Sequence, residues 1–124
     1  EYVLGVLAQQ NQDLPQAIGH FRRATTFDPQ FGDAFTELGR ALLTSGDAAH
    51  AVQALETAVR LQPANPAPHY LLSSAYRRTG KIEDANRELA AYRRTQSDAE
   101  RQLQDIRAGV LGRKSPAQEE SQPR

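Results

Sequence analysis

The sequence predicts an all-α protein, a short solenoid of paired helices, and three observations predict it. Shifting the chain by 34 residues superposes it on itself twice with no insertion or deletion. Within each stretch the apolar residues recur three and four apart, the spacing that places them on one helical face. The 124 residues are 39% hydrophobic and 24% charged, enough to bury a core and too apolar for a chain that stays unfolded. The shift aligns Leu4, Leu38 and Leu72, each followed by a small residue, Gly5, Gly39 and Ser73. It also aligns Ala17, Ala51 and Ala85, then Phe21, Leu55 and Leu89, and it pairs Gly46 with Gly80, Ala24 with Ala58 and Pro29 with Pro63.

The first helix is predicted over 1–11 and the second over 14–27, where Asp13 caps and Gln16 completes a capping box. Pro29 ends this pair. The third helix, 31–45, carries Phe35, Leu38 and Leu42 on one face, then breaks at Ser45-Gly46-Asp47. There Gly46 can take the left-handed conformation that closes a helix, and Asp47 can cap the next. The fourth, 48–61, aligns Ala48, Ala51, Val52, Leu55, Ala58, Val59 and Leu61, and stops before Pro63. Asn65-Pro66 supplies a cap and a first-turn proline for the fifth helix, 66–79, and the sixth follows over 82–95. Ser97-Asp98-Ala99-Glu100 has the form of a capping box, so a separate seventh helix is expected over 98–111, with Leu103, Ile106 and Val110 apolar. Arg107 takes its small-residue point, so it should terminate the array as a solubilising cap. From Arg113 to Arg124, Ser, Gln, Glu and Pro dominate, and residues 112–124 are expected to form a disordered tail. The resulting organisation is three repeats, 1–30, 31–64 and 65–97, then a capping helix and a tail. Glu1 opens mid-pattern, which suggests an excerpt whose first repeat is truncated at its N-terminus.

The small residues give the packing rule. Gly5 and Gly39 sit inside predicted helices, where glycine costs about 1 kcal/mol against alanine. Their recurrence opposite Ala17 and Ala51 lets two helix backbones approach closely.

These residues resemble the tetratricopeptide repeat, whose 34-residue pattern runs aromatic, Leu-Gly, aromatic, Ala, Phe, Ala, Pro. Repeat two matches at Phe35, Leu38, Gly39, Ala51, Leu55, Ala58 and Pro63, with Leu42 replacing the usual aromatic. Repeat one matches at Leu4, Gly5, Ala17, Phe21, Ala24 and Pro29, but Glu1 stands where the first aromatic belongs. Repeat three has His69, Leu72, Ser73, Tyr76, Ala85 and Leu89, then departs at Tyr92 and Ser97. The resemblance covers about residues 1–96 and implies a right-handed solenoid.

No residue pattern supports catalysis. His20, His50 and His69 lie on three different helices without a ligand partner four residues away, and no HExxH, phosphate-loop or dinucleotide motif occurs. Asp33 and Glu37 are four apart on one face, where Arg40 makes them read as a solvated ion-pair surface rather than an acid–base pair. The absence of cysteine excludes disulfides, thiol chemistry and Cys-based zinc sites. No stretch approaches the roughly 20 apolar residues of a membrane span. Fifteen basic against fifteen acidic residues leave no net field for nucleic acid. Thirteen of those bases are arginine, a skew that GC-rich coding also produces, as in a longer bacterial-looking protein. No catalytic residue, metal or cofactor is therefore assigned.

What the resemblance implies instead is a concave groove lined by the first helix of each repeat, holding a peptide or partner helix. On that scheme repeat one contributes Tyr2, Val3, Val6 and Gln9; repeat two contributes Asp33, Thr36, Glu37, Arg40 and Leu43; repeat three contributes Tyr70, Leu71, Ser74, Arg77 and Arg78. Arg40, Arg77 and Arg78 make one side basic, Asp33 and Glu37 make the other acidic, and Tyr70 with Leu71 forms an apolar strip between. A partner with acidic residues and one aliphatic anchor would suit it. The family's carboxylate clamp for chaperone tails is not expected, because its points hold Tyr2, Val6, Glu37, Ala67 and Leu71. The function expected is a non-catalytic protein–protein interaction module. The alternative is a structural spacer that self-associates or packs on neighbouring repeats. Tyr2, Val3, Leu4, Val6 and Leu7 crowd the first helix, so self-association is expected through that end.

Overall fold

Asp13, Asp47 and Asn65 each start a helix in the way their side chains allow. In the computed structural model, which describes residues 1–111, Asp13 accepts from the Gln16 amide at 3.3 Å and Asp47 from that of His50 at 3.2 Å. Asn65 accepts from the Ala67 amide at 3.2 Å. They open α2 (Leu14–Phe27), α4 (Ala48–Leu61) and α5 (Pro66–Arg78). The other helices are α1 (Tyr2–Gln10), α3 (Gly32–Thr44) and α6 (Ile82–Leu111), and the described residues contain no strand.

The turns inside the helix pairs share one conformation. Gly46 has φ 92° and Gly80 φ 81°, the left-handed region in which glycine carries no steric penalty. At the equivalent point of the first pair stands Gln12, with φ 62°.

Consecutive helices pack on one another, and in addition α3 touches both α1 and α5. The first helices of the pairs therefore form one continuous wall, and the second helices lie behind it. The core runs along the seam. Phe21, Leu55, Ala17, Ala51 and Ala85 are fully buried, with Leu38, Leu42 and Leu72 between them. The reason for glycine is direct. A Cβ on Gly5 would lie 2.6 Å from the Phe21 ring, and one on Gly39 would lie 2.3 Å from Leu55 Cγ.

One expectation is corrected. No separate capping helix occupies 98–111, because α6 runs unbroken from Ile82 to Leu111. A capping box works only where its first residue leaves helical geometry, and nothing forces Ser97 to leave. Neither glycine nor proline occurs between Lys81 and Arg107. Extending an existing helix is easier than nucleating another. The expected tail, 112–124, lies outside the described residues.

Candidate binding groove

The inner wall presents its side chains from three helices. Tyr2 of α1 is half-buried, its ring 4.9 Å from Phe31 and 5.9 Å from Phe21. Burial raises the pKa of its hydroxyl, and the negative charges of Glu37 and Asp33 raise it further. Tyr2, Asp33 and Glu37 thus share one end of the wall. Val6 packs against the core behind it. Asp33 accepts a hydrogen bond from Gln62 Nε2 at 2.9 Å, which ties α3 to the end of α4.

Arg40 Nε donates to Glu37 Oε2 at 3.2 Å, so the acidic and basic sides meet within α3. Beyond that pair, Arg40 borders a cleft of about 330 Å³ with Pro66, Ala67, Tyr70 and Leu71 of α5 and Tyr92 and Gln96 of α6. Tyr70 is 51% exposed and leans on Tyr92, ring centres 5.2 Å apart. The cleft combines one guanidinium, two phenol rings and an aliphatic floor. Such a set can hold a carboxylate beside an apolar side chain.

The structure brings Arg40, Tyr70 and Leu71 together. Ser74 and Arg77 lie one and two turns further along α5, outside this cleft. Three expected groove residues serve otherwise. Thr36 is 5% exposed and its hydroxyl donates to the Gly32 carbonyl at 3.1 Å, so it lies beneath the wall rather than on it. Leu43 is likewise buried. Arg78 Nη1 donates to the Leu43 carbonyl at 2.8 Å, a second donor to an acceptor at the end of α3 that the Gly46 amide also reaches, at 3.0 Å. It bridges α5 to α3.

Tyr92 and Gln96 escaped the sequence reading because they belong to a second helix. A signal was present nonetheless. Tyr92 stands where the earlier repeats have Ala24 and Ala58, both buried in helices on which a next helix packs. Among the described residues no helix follows α6, so a large ring fits at that point.

Two other surfaces stand out. Val3, Leu4 and Leu7 on the outer side of α1 are 67%, 50% and 49% exposed. At the same end, Glu1, Tyr2, Val3, Ala24, Phe27, Asp28 and Phe31 line a depression of about 540 Å³. The histidines have partners within the fold. His69 is buried, with Nδ1 2.7 Å from Glu88 Oε2 and Nε2 2.8 Å from the Pro63 carbonyl oxygen. No helix among the described residues is long and apolar enough to cross a membrane.

The comparisons with known proteins agree with this architecture. The small glutamine-rich tetratricopeptide repeat-containing protein 2 of Mycosarcoma maydis is 31% identical over 83 residues, covering 67% of this chain and 24% of that protein. The crystal structure of MamA superposes with TM-score 0.76 at 20% identity, covering 81% of this chain and 58% of that one. The CopN–Scc3 complex contains a chain that superposes with TM-score 0.73 at 25% identity, covering 86% and 66%. The chain thus spans about a quarter of the curated relative and somewhat over half of MamA. A sequence-family model for the tetratricopeptide repeat matches residues 42–109, more than half of the chain, and with the helix pairs and the glycine-mediated packing this places the protein in the tetratricopeptide repeat family.

Proposed function

We propose that the chain is a non-catalytic interaction module that holds a partner segment along the inner wall, anchored in the cleft between α3, α5 and α6. The observation that carries this is the company Arg40 keeps: Tyr70, Leu71 and Tyr92 around one guanidinium. The segment that suits it is an extended or helical peptide with an acidic residue against Arg40 and an aliphatic side chain against Tyr70. Arg77 extends the basic side along α5 for a second acidic residue. That one structural neighbour is itself a two-protein complex supports a protein partner. The test is a peptide array or pull-down at two salt concentrations. Arg40→Ala should weaken binding about 10-fold or more, the loss of one charge-assisted hydrogen bond. Arg60→Ala, on an exposed point of α4, should change nothing. An Arg40→Ala variant with an unchanged, salt-insensitive set of partners would refute the groove.

A second reading has its own observation, the exposed apolar face of Val3, Leu4 and Leu7. In this reading α1 stacks on another repeat or on a second chain, and the module works as a spacer. Scattering over a concentration series checks it. A Val3→Glu/Leu7→Glu variant should abolish any association that runs through α1.

A further inference from the structure

The uninterrupted α6 carries a pattern that runs on beyond both the repeats and the groove. Starting at Ile82, the residues Ala85, Leu89, Tyr92, Gln96, Ala99, Leu103, Ile106 and Val110 follow at alternating steps of three and four. That is a heptad stripe with Gln96 as its one strongly polar member. Its first half is in use: Ala85 is fully buried, Leu89 and Tyr92 are half-buried, and α6 packs on α5. Its second half is largely exposed among the described residues, although Ala99 and Gln102 border the α4–α5 turn at Pro63 and Ala64. From Ala99 onward α6 runs past the end of α5, and Leu103 and Ile106 are 50% and 61% exposed. The overhang of some twelve residues is roughly 18 Å long. Its remaining faces are polar, with Arg101, Gln104 and Asp105.

The charges beside the stripe select the occupant. Glu100 and Arg107 lie on the same flank, one heptad apart, while the opposite flank holds Gln102 and Gly109. If a second overhang runs antiparallel, with Leu103 level with Ile106 of the other copy, equal flanks meet. Glu100 then faces Arg107 of the second copy, and Arg107 faces Glu100, giving two equivalent ion pairs about a twofold axis. In a parallel pair each charge would face an uncharged residue of the other flank. We propose that the overhang of α6 is a homodimerisation element in which residues 99–110 of two copies pair antiparallel. The contact is small, under roughly 1,200 Å² in total, so the dimer belongs to the weak and reversible class. It would join two grooves in one particle, which raises avidity for a partner with repeated segments.

Sedimentation velocity on the whole chain tests this. With rising concentration the 13.7 kDa monomer should convert reversibly to a dimer. Leu103→Glu/Ile106→Glu should stay monomeric with unchanged far-ultraviolet circular dichroism, since both residues are exposed. Glu100→Arg alone and Arg107→Glu alone should each weaken the dimer about 10-fold, by turning both ion pairs into repulsions. Mixing those two single variants should restore wild-type affinity, because each then supplies the charges the other lacks. A wild type that stays monomeric to millimolar concentration overturns the proposal, as does a dimer that survives Leu103→Glu/Ile106→Glu. Dimerisation lost only in Val3→Glu/Leu7→Glu would assign it to α1 instead. Indifference to both charge reversals would rule out the antiparallel register.

Discussion

The middle helix pair and its two neighbours make the same contact with different chemistry. Positions 1, 35 and 69 are equivalent under the 34-residue shift, and so are 20, 54 and 88. In the first pair Glu1 Oε2 accepts from His20 Nδ1 at 2.7 Å; in the third, His69 Nδ1 donates to Glu88 Oε2 at 2.7 Å, with the two residue types exchanged. In the middle pair Phe35 and Ala54 occupy those points, beside Leu38. The small-residue point divides the pairs differently, since Gly5 of the first pair also faces a fully buried ring, Phe21. Gly39 presses on a fully buried Leu55, whereas Ser73 of the third pair is opposed by a half-buried Leu89. What the repeat conserves is therefore a shape and a distance. The middle pair meets them by close apolar packing and the outer pairs by charge-assisted hydrogen bonds.

If that is right, the two glycine points should be less forgiving of added volume than the serine point. Gly39→Leu should destabilise by about 3 kcal/mol or more, because Leu55 has nowhere to move. Ser73→Leu, at the equivalent point of the third pair, should cost less, since the half-buried Leu89 opposite it can give way toward solvent. Chemical denaturation of both variants checks the contrast, and similar midpoints would break it.

The middle chemistry can be transplanted into the third pair. Glu88→Ala alone should cost about 1–3 kcal/mol by leaving the buried His69 without one of its acceptors. The double variant His69→Phe/Glu88→Ala, which copies Phe35 and Ala54, should recover most of that loss. Thermal melts of the two decide it. A double variant no better than the single one would mean that the contact depends on its polarity.

The turns give a smaller effect of opposite sign. Gln12 holds φ 62° where the other two turns use glycine. Gln12→Gly should stabilise by about 0.5–1 kcal/mol, the relief of left-handed strain offset in part by unfolded-state entropy. A lowered melting temperature would show that the Gln12 side chain makes a compensating contact.

The smallest effect concerns acid. The Asp47 carboxylate accepts from the His50 amide, which holds its pKa below the usual carboxylate range, and the His50 ring adds to this. A depressed folded-state pKa means that the stabilisation is present above the unfolded value. It is lost as pH falls through the usual aspartate range and below. Asp47→Asn keeps a capping acceptor without a titrating group, so its stability should fall less steeply over that acid window. Parallel acid titrations followed by circular dichroism would reveal it.

Most of the fold was legible because a repeat states each rule several times. Gly5, Gly39 and Ser73 set the close approach, Gly46 and Gly80 the turn, and Asp13, Asp47 and Asn65 the helix starts. Where a signal occurred once, it misled. Ser97…Glu100 has capping chemistry, but a cap marks a boundary only when some residue also breaks the preceding helix, and none does. The candidate cleft was legible by half. Arg40, Tyr70 and Leu71 follow from their register on the first helices, but Tyr92 and Gln96 reach the cleft from α6. Thr36 and Arg78 have the right register for the wall, and backbone carbonyls at Gly32 and Leu43 claim them instead. Sequence spacing places a side chain on a face without showing which acceptor it finds there.

The proposed function places recognition on the inner wall, in the cleft where α3, α5 and α6 meet. It is tested most directly by an NMR titration of the labelled chain with a peptide selected for an acidic residue followed by an aliphatic one. The largest shift changes should fall on Arg40, Tyr70, Leu71, Tyr92 and Gln96 and vanish in Arg40→Ala/Tyr92→Ala. Changes centred instead on Phe35, Gln53 and Thr57, which line the surface behind the wall, would contradict it.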